Sequence, residues 1–320
     1  MITFFCIPKP FTGETRSRQI NALRSWQALD VKCEVLVFGD EEGVAGACRE
    51  IEGRHVPHIA RNEQGTPLLD FAFREAQQLA HNKLLCYANS DILFFPDLLL
   101  ASKNLCRDVS GPYLAVGQRR GFDAADAKYR EGECWSPEII QREGRMDGVL
   151  FIDYFLFTKS LFANIPPFAV GRPGWDNWMI YEARIKQIPV IDLTAKVLAG
   201  HQDHDHKHTA EGLSGGRDAL WCGLEAQKNR RLAGGHIFGV DDATHHLDES
   251  GSLVLRVRPF YFWHRLRESH EIFPRWRWVL LLLWKLVLAQ SKMDRQIRLF
   301  LLRRGVDLFP NKEKRRSIPK

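Results

Sequence analysis

The 320-residue sequence lacks the features that mark several classes of protein. Its seven cysteines are scattered, odd in number and without a C-x-x-C pair, which argues against a disulfide framework or a structural zinc site and favours a reducing compartment. The longest apolar tract, Trp278 to Ala289, contains Lys285 and falls short of the roughly 20 residues that span a bilayer. No basic residue precedes the apolar segment Met1 to Ile7, so we expect a first core strand there rather than a secretory signal.

The charges that are present are unevenly distributed. The composition is ordinary for a globular protein, with 45% apolar residues and a formal net charge of +6. Residues 256–320 contain 17 Lys and Arg against 5 Asp and Glu, whereas the preceding residues contain 28 against 34. We therefore expect a folded domain over residues 1–250 and a basic, apolar and aromatic helical tail over residues 251–320.

The tail has the composition of a binding surface. Its segment Arg275 to Ala289 is rich in leucine and tryptophan and is followed by Arg295, Arg298, Arg303 and Arg304. This pattern fits a helix in a membrane interface, with its basic side chains on anionic headgroups. A helix packed on the domain and a contact between subunits stay open. Nucleic acid is not the expected partner, because the leucine run would have no role there. We expect the protein in the cytoplasm, and the tail would give it a peripheral position on the inner face of the cytoplasmic membrane.

The first half of the sequence alternates between two hydrophobic periods. Apolar runs of strand length lie at Ile2 to Ile7, Glu34 to Phe38 and Leu84 to Ala88. Helical spacing separates them over Arg16 to Leu29, and again over a segment with Pro67 at its first helical position. Repeated βαβ units predict an α/β fold with a mainly parallel sheet flanked by helices. In such sheets ligands bind beyond the carboxyl ends of the strands.

The second half is less regular. Gln118 to Asp147 is rich in charge and glycine and shows no period, which predicts a long surface excursion. Val149 to Phe157 predicts a further strand, and Asp153 within it should have a hydrogen-bond partner or a ligand, because an unpaired buried carboxylate is costly. A glycine-rich turn then leads into a predicted helix that ends near Lys186, and Val190 to Leu193 predicts a short strand.

Asp40 follows the second predicted strand. Glycines surround it, but a dinucleotide site is not expected, since Asp40, Glu41 and Glu42 would repel a pyrophosphate. An aspartate directly after a strand can instead accept hydrogen bonds from a base or a ribose. A turn or helix N-cap role is equally open.

The strongest local signal is the strand end Asn89-Ser90-Asp91. A carboxylate held at a rigid strand end can coordinate a hard divalent cation, which in turn neutralises a diphosphate. The alternative is a simple turn, because Asn, Ser and Asp are all turn-forming residues.

Asp176 lies between Trp175 and Trp178, directly after a glycine-rich turn. Burial beside apolar rings raises the proton affinity of a carboxylate, which suits a general base. A helix N-cap aspartate is the alternative interpretation, and both can hold together.

Histidines recur between His201 and His208. Their spacing does not bring four imidazoles onto one ion, so a dedicated zinc site is not expected. A single histidine acting as one ligand of a metal ion fits the pattern better.

In order, these motifs resemble the GT-A fold glycosyltransferases, and most closely the family 2 type used in bacterial surface polysaccharide synthesis. The resemblance covers about residues 1–245. Its elements are a first strand ending near Pro8, Asp40 after the next strand, Asn62 to Leu68 leading into a helix, the Asn89-Ser90-Asp91 strand end, and Trp175-Asp176 before a helix. The family motif is usually Asp-x-Asp, and Asn89 stands in place of its first aspartate.

The resemblance implies a nucleotide-sugar donor, with a UDP-sugar favoured, and Mn²⁺ or Mg²⁺ on its diphosphate. Asp91 and His201 would be the metal ligands. Asp176 would be the catalytic base, and Asp153 would face the acceptor or donor sugar. The implied donor contacts are Pro8, Asp40, Arg61, Asn62, Thr66, Asn89 and Ser90.

The expected activity is therefore transfer of a hexosyl or pentosyl group to a hydroxyl of a glycan or glycolipid acceptor, with inversion at the anomeric carbon. Two alternatives stay open. A nucleotide-sugar hydrolase or nucleotidyltransferase could use the same strand-end carboxylate. A non-catalytic membrane-associated binding protein would explain the tail without any chemistry.

Overall fold

The computed structural model describes residues 1–126, 128, 130–131, 134–203, 222–258 and 261–303. The chain forms two compact units, Met1–Val257 and Arg258–Lys320.

The first unit is an α/β structure. Its strands are β1 (Ile2–Cys6), β2 (Glu34–Phe38), β3 (Arg54–Val56), β4 (Leu84–Ala88), β5 (Ile92–Leu93), β6 (Leu114–Val116), β7 (Arg120–Phe122), β8 (Arg130–Glu131), β9 (Cys134–Trp135), β10 (Arg145–Met146), β11 (Tyr154–Thr158), β12 (Val190–Asp192), β13 (Gly200–Gln202), β14 (His245–Leu247) and β15 (Leu253–Leu255). Its described α-helices are α1 (Gly13–Gln27), α2 (Val44–Glu50), α3 (Leu69–Leu79), α4 (Pro96–Asp108), α5 (Pro137–Glu143), α6 (Trp175–Ile185) and α7 (Leu224–Leu232).

In the described part of the chain, nine strands form the main sheet, in the order β15-β14-β12-β6-β11-β4-β1-β2-β3. Strands β4, β1, β2 and β3 pair in parallel, as do β6, β12 and β14. Strand β11 runs antiparallel between β4 and β6, and β15 runs antiparallel to β14. The predicted fold class, a mainly parallel sheet flanked by helices, is confirmed.

Strand β1 shows why helices cover both faces of this sheet. Successive side chains of a strand point to opposite faces, and β1 is apolar at every position except Thr3. Phe4 packs on Trp26 of α1, with the ring centroids 5.4 Å apart. Phe5 packs on Phe73 of α3 from the other face, with the ring centroids 4.9 Å apart.

Three predicted boundaries in the first unit are wrong. Helix α3 begins at Leu69, and Pro67 forms an isolated bridge with Arg61 before it. Strand β11 begins only at Tyr154, and residues 149–151 before it are exposed. The segment Gln118–Asp147 contains β7, α5 and β10 rather than only irregular chain. These short strands pair with partners distant in sequence, which no local period reveals.

The second unit is helical where it is described. It contains α8 (Tyr261–His264), α9 (Ser269–Ile272), a short 3-10 helix (Pro274–Trp276) and the 27-residue helix α10 (Arg277–Arg303). None of the described helices has both the length and the apolar character needed to cross a membrane.

Trp26 supports the strand end that carries Asp91. Its ring is fully buried, and its Nε1 donates a hydrogen bond to the carbonyl oxygen of Ile92 at 2.7 Å. We expect Trp26→Phe to lower the free energy of unfolding by about 1–3 kcal/mol, because the buried carbonyl loses its donor. Urea denaturation measures this change. Trp278→Phe is the control, since Trp278 is 77% exposed. An equal effect of both substitutions would contradict a stabilising role of the Trp26 hydrogen bond.

Candidate functional site

Strands β4 and β11 place Asn89 and Asp153 opposite each other. Ala88 pairs with Tyr154 in the antiparallel register, so the residue after β4 meets the residue before β11. Asn89 Nδ2 donates to Asp153 Oδ1 at 2.9 Å, and the Asn89 backbone N–H donates to the Asp153 carbonyl at 2.9 Å. An aspartate at position 89 would put two carboxylates in contact, whereas the amide supplies a donor. The predicted partner of Asp153 is therefore Asn89, together with the arginine described next.

Arg119 is a site residue that sequence reasoning missed. It follows β6, and its guanidinium binds Asp153 and, through Nε, Asp147 Oδ2 at 2.7 Å. The guanidinium also lies over the ring of Phe151, 5.3 Å from its centroid. Burial alone would lower the pKa of Arg119, but its two carboxylate partners raise it on balance. The sequence feature that could have identified Arg119 is the short apolar run before Gly117, because this run ends at the same edge of the sheet as β4.

Asp91 and His201, the two predicted metal ligands, lie together. Strands β5 and β13 pair with Ile92 opposite His201, which brings His201 Nε2 to 3.9 Å from Asp91 Oδ2. His201 Nδ1 lies 3.1 Å from Asp203 Oδ1, and in the neutral tautomer that donates this hydrogen bond Nε2 carries a lone pair that a metal ion could use. Burial by itself lowers the pKa of His201, but Asp203 and Asp91 raise it on balance.

The Asp91–His201 pair fits a divalent ion whose remaining ligands come from elsewhere. The separation of 3.9 Å is less than twice the roughly 2.1 Å length of a Mg²⁺–oxygen bond. Among the described residues there is no group of three or more His, Cys, Asp or Glu side chains placed to hold a metal ion. Mg²⁺ commonly binds through one or two carboxylates plus substrate phosphates, and this donor set has that incomplete form. His204, His206 and His208 lie outside the described residues.

Asp176 is the second residue of α6, not its N-cap. The N-cap is Gly174, whose φ of 106° is a conformation that favours glycine. The Gly174 backbone N–H donates to Asp176 Oδ1 at 3.2 Å, while Trp175 packs against Tyr87 at a centroid distance of 5.2 Å. Burial raises the pKa of Asp176 to about 6, and the charge of Asp153 adds to the increase. The expectation of a raised proton affinity at Asp176 agrees with this geometry.

Lys9 is the second residue that sequence reasoning missed, although its neighbour Pro8 was predicted. The buried Gln19 side chain accepts the Lys9 N–H at 2.8 Å and donates to the Lys9 carbonyl at 2.9 Å. Ser90 Oγ donates to the same Gln19 oxygen at 2.7 Å, which fixes the end of β1 beside the end of β4. Burial lowers the pKa of Lys9, and the charges of Asp91 and Asp153 oppose that effect.

The predicted nucleoside contacts form another group, at the end of β2. Arg61 donates to Asp40 Oδ1 at 2.6 Å and to Glu41 Oε1 at 2.8 Å, and its hydrogen bond lowers the pKa of Asp40. Asn62 Oδ1 accepts the backbone N–H of Thr66 at 2.9 Å.

Helix α7 contributes a further residue to that group. Asn62 Nδ2 donates to Glu225 Oε1 at 2.6 Å, and Arg172 donates to Glu225 Oε2 at 2.7 Å. Sequence reasoning did not identify Glu225, because its partners are more than fifty positions away in the chain.

No protein-family model matches the chain, and no curated protein matches its sequence. Among solved structures the chain is similar to glucosyl-3-phosphoglycerate synthase from Mycobacterium tuberculosis in complex with Mg²⁺ and UDP, at 13% identity and a TM-score of 0.40, over 69% of this chain and 78% of that one. It is also similar to S. aureus TarS 1-349 in complex with UDP-GlcNAc, at 12% identity and a TM-score of 0.43, over 73% and 70% of the two chains. Both are similarities of fold at low sequence identity.

The raised pKa of Asp176 makes a prediction about stability. A folded-state pKa of about 6, above the usual 3.8, penalises the folded protein above pH 6, and the penalty disappears below pH 4. We expect Asp176→Asn to increase the free energy of unfolding by about 1–3 kcal/mol at pH 8 and to leave it unchanged at pH 4.

Urea denaturation at the two pH values tests this, with Glu249→Gln as the control because Glu249 is exposed. If Asp176→Asn raised the free energy of unfolding equally at both pH values, or lowered it at pH 8, desolvation would not be the cause of the raised Asp176 pKa.

Proposed function

We propose that the first unit transfers a glycosyl group from a nucleotide sugar to a hydroxyl of an acceptor. The observation that carries the proposal is the meeting of two kinds of group at one edge of the sheet. Asp91 and His201 form a pair suited to a divalent ion, and Asp176 is a half-buried carboxylate with a raised pKa. Transfer from a nucleotide sugar needs both a metal-binding pair and a base. The leaving diphosphate develops negative charge that must be stabilised, and the acceptor hydroxyl must lose its proton.

The diphosphate would lie against Asp91, His201 and Lys9. Asp91 and His201 would hold Mn²⁺ or Mg²⁺, which when bound stabilises the negative charge that develops on the leaving diphosphate. The Lys9 side chain, which is coupled electrostatically to Asp91, offers an ammonium group to the same oxygens. Lys9, at the end of β1, would therefore supply positive charge of the protein's own to the diphosphate, while Asn89 stands where the family motif has a further aspartate.

The acceptor would lie against Asp176. Its carboxylate accepts the proton of the acceptor hydroxyl as that oxygen bonds to the anomeric carbon and the bond from the carbon to the diphosphate breaks. A pKa of about 6 leaves the carboxylate ionised at neutral pH yet basic enough to take a proton. One displacement of this kind inverts the anomeric carbon. Asp153, held by Asn89 and Arg119, is placed to accept hydrogen bonds from sugar hydroxyls.

The nucleoside would contact the group at the end of β2, which contains Asp40, Arg61, Asn62 and Thr66. Arg61 bridges two carboxylates there, and Asn62 is held by Glu225. Carboxylate and amide groups at a strand end suit the hydroxyls of a ribose and the edge of a base. We favour a UDP-sugar as donor and a glycan or glycolipid as acceptor, which places the reaction in polysaccharide or glycolipid synthesis.

The base assignment predicts a pH profile. Turnover of the wild type should rise with pH as a single group with a pKa of about 6 loses its proton. Asp176→Asn should lower kcat by about 10²- to 10⁴-fold and abolish that rise, while the KM for the donor stays near its wild-type value. Release of nucleoside diphosphate measures both. A folded Asp176→Asn protein with wild-type turnover would contradict the assignment.

The diphosphate assignment predicts that two variants differ in their response to metal. Asp91→Asn should abolish the gain in donor affinity that Mn²⁺ gives. Lys9→Gln should weaken donor binding about 10- to 100-fold, with and without metal, because it removes a charged hydrogen-bond donor.

Isothermal titration with the donor tests both variants. Lys83→Gln is the matched control, since Lys83 is exposed and precedes β4, at the opposite end of the strand from Asp91. Equal effects of Lys9→Gln and Lys83→Gln would remove Lys9 from the site.

A further inference from the structure

Helix α10 of the second unit presents several large apolar side chains to solvent, and four of them share one face. Trp278, Leu282, Leu286 and Met293 are 77%, 59%, 57% and 56% exposed, and we call them the apolar stripe. Spacings of four, four and seven residues keep them on one side of an α-helix, over about 22 Å at 1.5 Å per residue. Exposed apolar surface of this extent marks a site of interaction.

The same helix is strongly basic. It contains six Arg and Lys and a single acid, Asp294. Across residues 258–320 there are 16 Lys and Arg against 5 Asp and Glu. Lys285 and Lys292 lie between the positions of the apolar stripe along the chain, so basic and apolar groups share the length of the helix.

The presence of basic and apolar side chains on one helix indicates which partner could cover the apolar stripe. A second copy would bring two helices of the same charge together, which Coulomb repulsion opposes. A nucleic acid would satisfy the charge and leave the stripe in water. An anionic bilayer surface satisfies both, because its headgroups attract Lys and Arg while its acyl boundary takes up apolar side chains.

We propose that α10 docks the protein on the surface of an anionic membrane. The apolar stripe enters the boundary between headgroups and acyl chains, and the Arg and Lys side chains bind lipid phosphates. The helix lies in the plane of the interface, since none of the described helices has the character of a membrane span. This proposal does not depend on glycosyl transfer.

Sedimentation of the full chain with lipid vesicles tests the proposal. We expect binding to vesicles that contain phosphatidylglycerol to be at least about tenfold tighter than binding to pure phosphatidylcholine, since each basic residue near an anionic surface contributes about 1 kcal/mol. High salt should weaken it, because salt screens charges near a surface.

Two pairs of substitutions separate the apolar and the charged contributions. Leu282→Gln with Leu286→Gln keeps good helix formers and should reduce vesicle binding about tenfold or more. Lys285→Gln with Lys292→Gln should reduce binding to phosphatidylglycerol vesicles and leave the weak binding to phosphatidylcholine unchanged. Leu100→Gln is the control, because Leu100 is 63% exposed on α4 of the first unit. Circular dichroism confirms that each variant keeps its helix content.

Four outcomes would overturn the proposal. The first is equal binding of the wild type to both kinds of vesicle. The second is vesicle binding that the Leu282 and Leu286 substitutions leave unchanged. The third is a dimer in light scattering that those substitutions dissociate, which would assign the stripe to a second copy of the chain. Tight, salt-sensitive binding to duplex DNA in place of vesicles would assign the helix to nucleic acid.

Discussion

Three carboxylates, those of Asp91, Asp153 and Asp176, lie at the strand ends of the mainly parallel sheet, and the site depends on how the charge of each is compensated. The charge of Asp153 is compensated directly, by a hydrogen bond from the amide of Asn89 and an ion pair with the guanidinium of Arg119. Asp91 lies beside His201 and is coupled to Lys9. Asp176 accepts a hydrogen bond from the backbone of Gly174, and its partial desolvation together with the charge of Asp153 raises its pKa to about 6. The three groups thus acquire different chemistry from different surroundings.

The departure of this sequence from the family motif follows from the same constraint. In the structure, Asn89 donates to Asp153 through both its side chain and its backbone. A second aspartate at this position would add a charge beside Asp153 and remove a donor. The chain therefore has one fewer carboxylate for a metal ion, and it has Lys9 at the end of the neighbouring strand. Charge on the diphosphate would be shared between an ion and a protein ammonium group.

Much of this arrangement could be predicted from the sequence, where the determinants are local. The bounds of Glu34–Phe38 and Leu84–Ala88 match β2 and β4, because each is a short apolar run that ends in turn-forming residues. The proximity of Asp91 and His201 agrees with their predicted shared role. Arg119 and Lys9 could not be found in this way. Arg119 enters the site because β6 lies beside β11, and Lys9 because Gln19 ties it to Ser90, so both depend on contacts between distant segments.

We propose that this edge of the sheet binds the diphosphate of a nucleotide sugar. The most direct test is a thermal-shift comparison of the purified protein with UDP-, GDP-, CDP- and dTDP-sugars, each with and without Mn²⁺. A ligand that binds only the folded state must raise the melting temperature. We expect one of these nucleotides to raise it and Mn²⁺ to enlarge the shift. A folded protein whose melting temperature none of them changes would contradict nucleotide binding at this edge of the sheet.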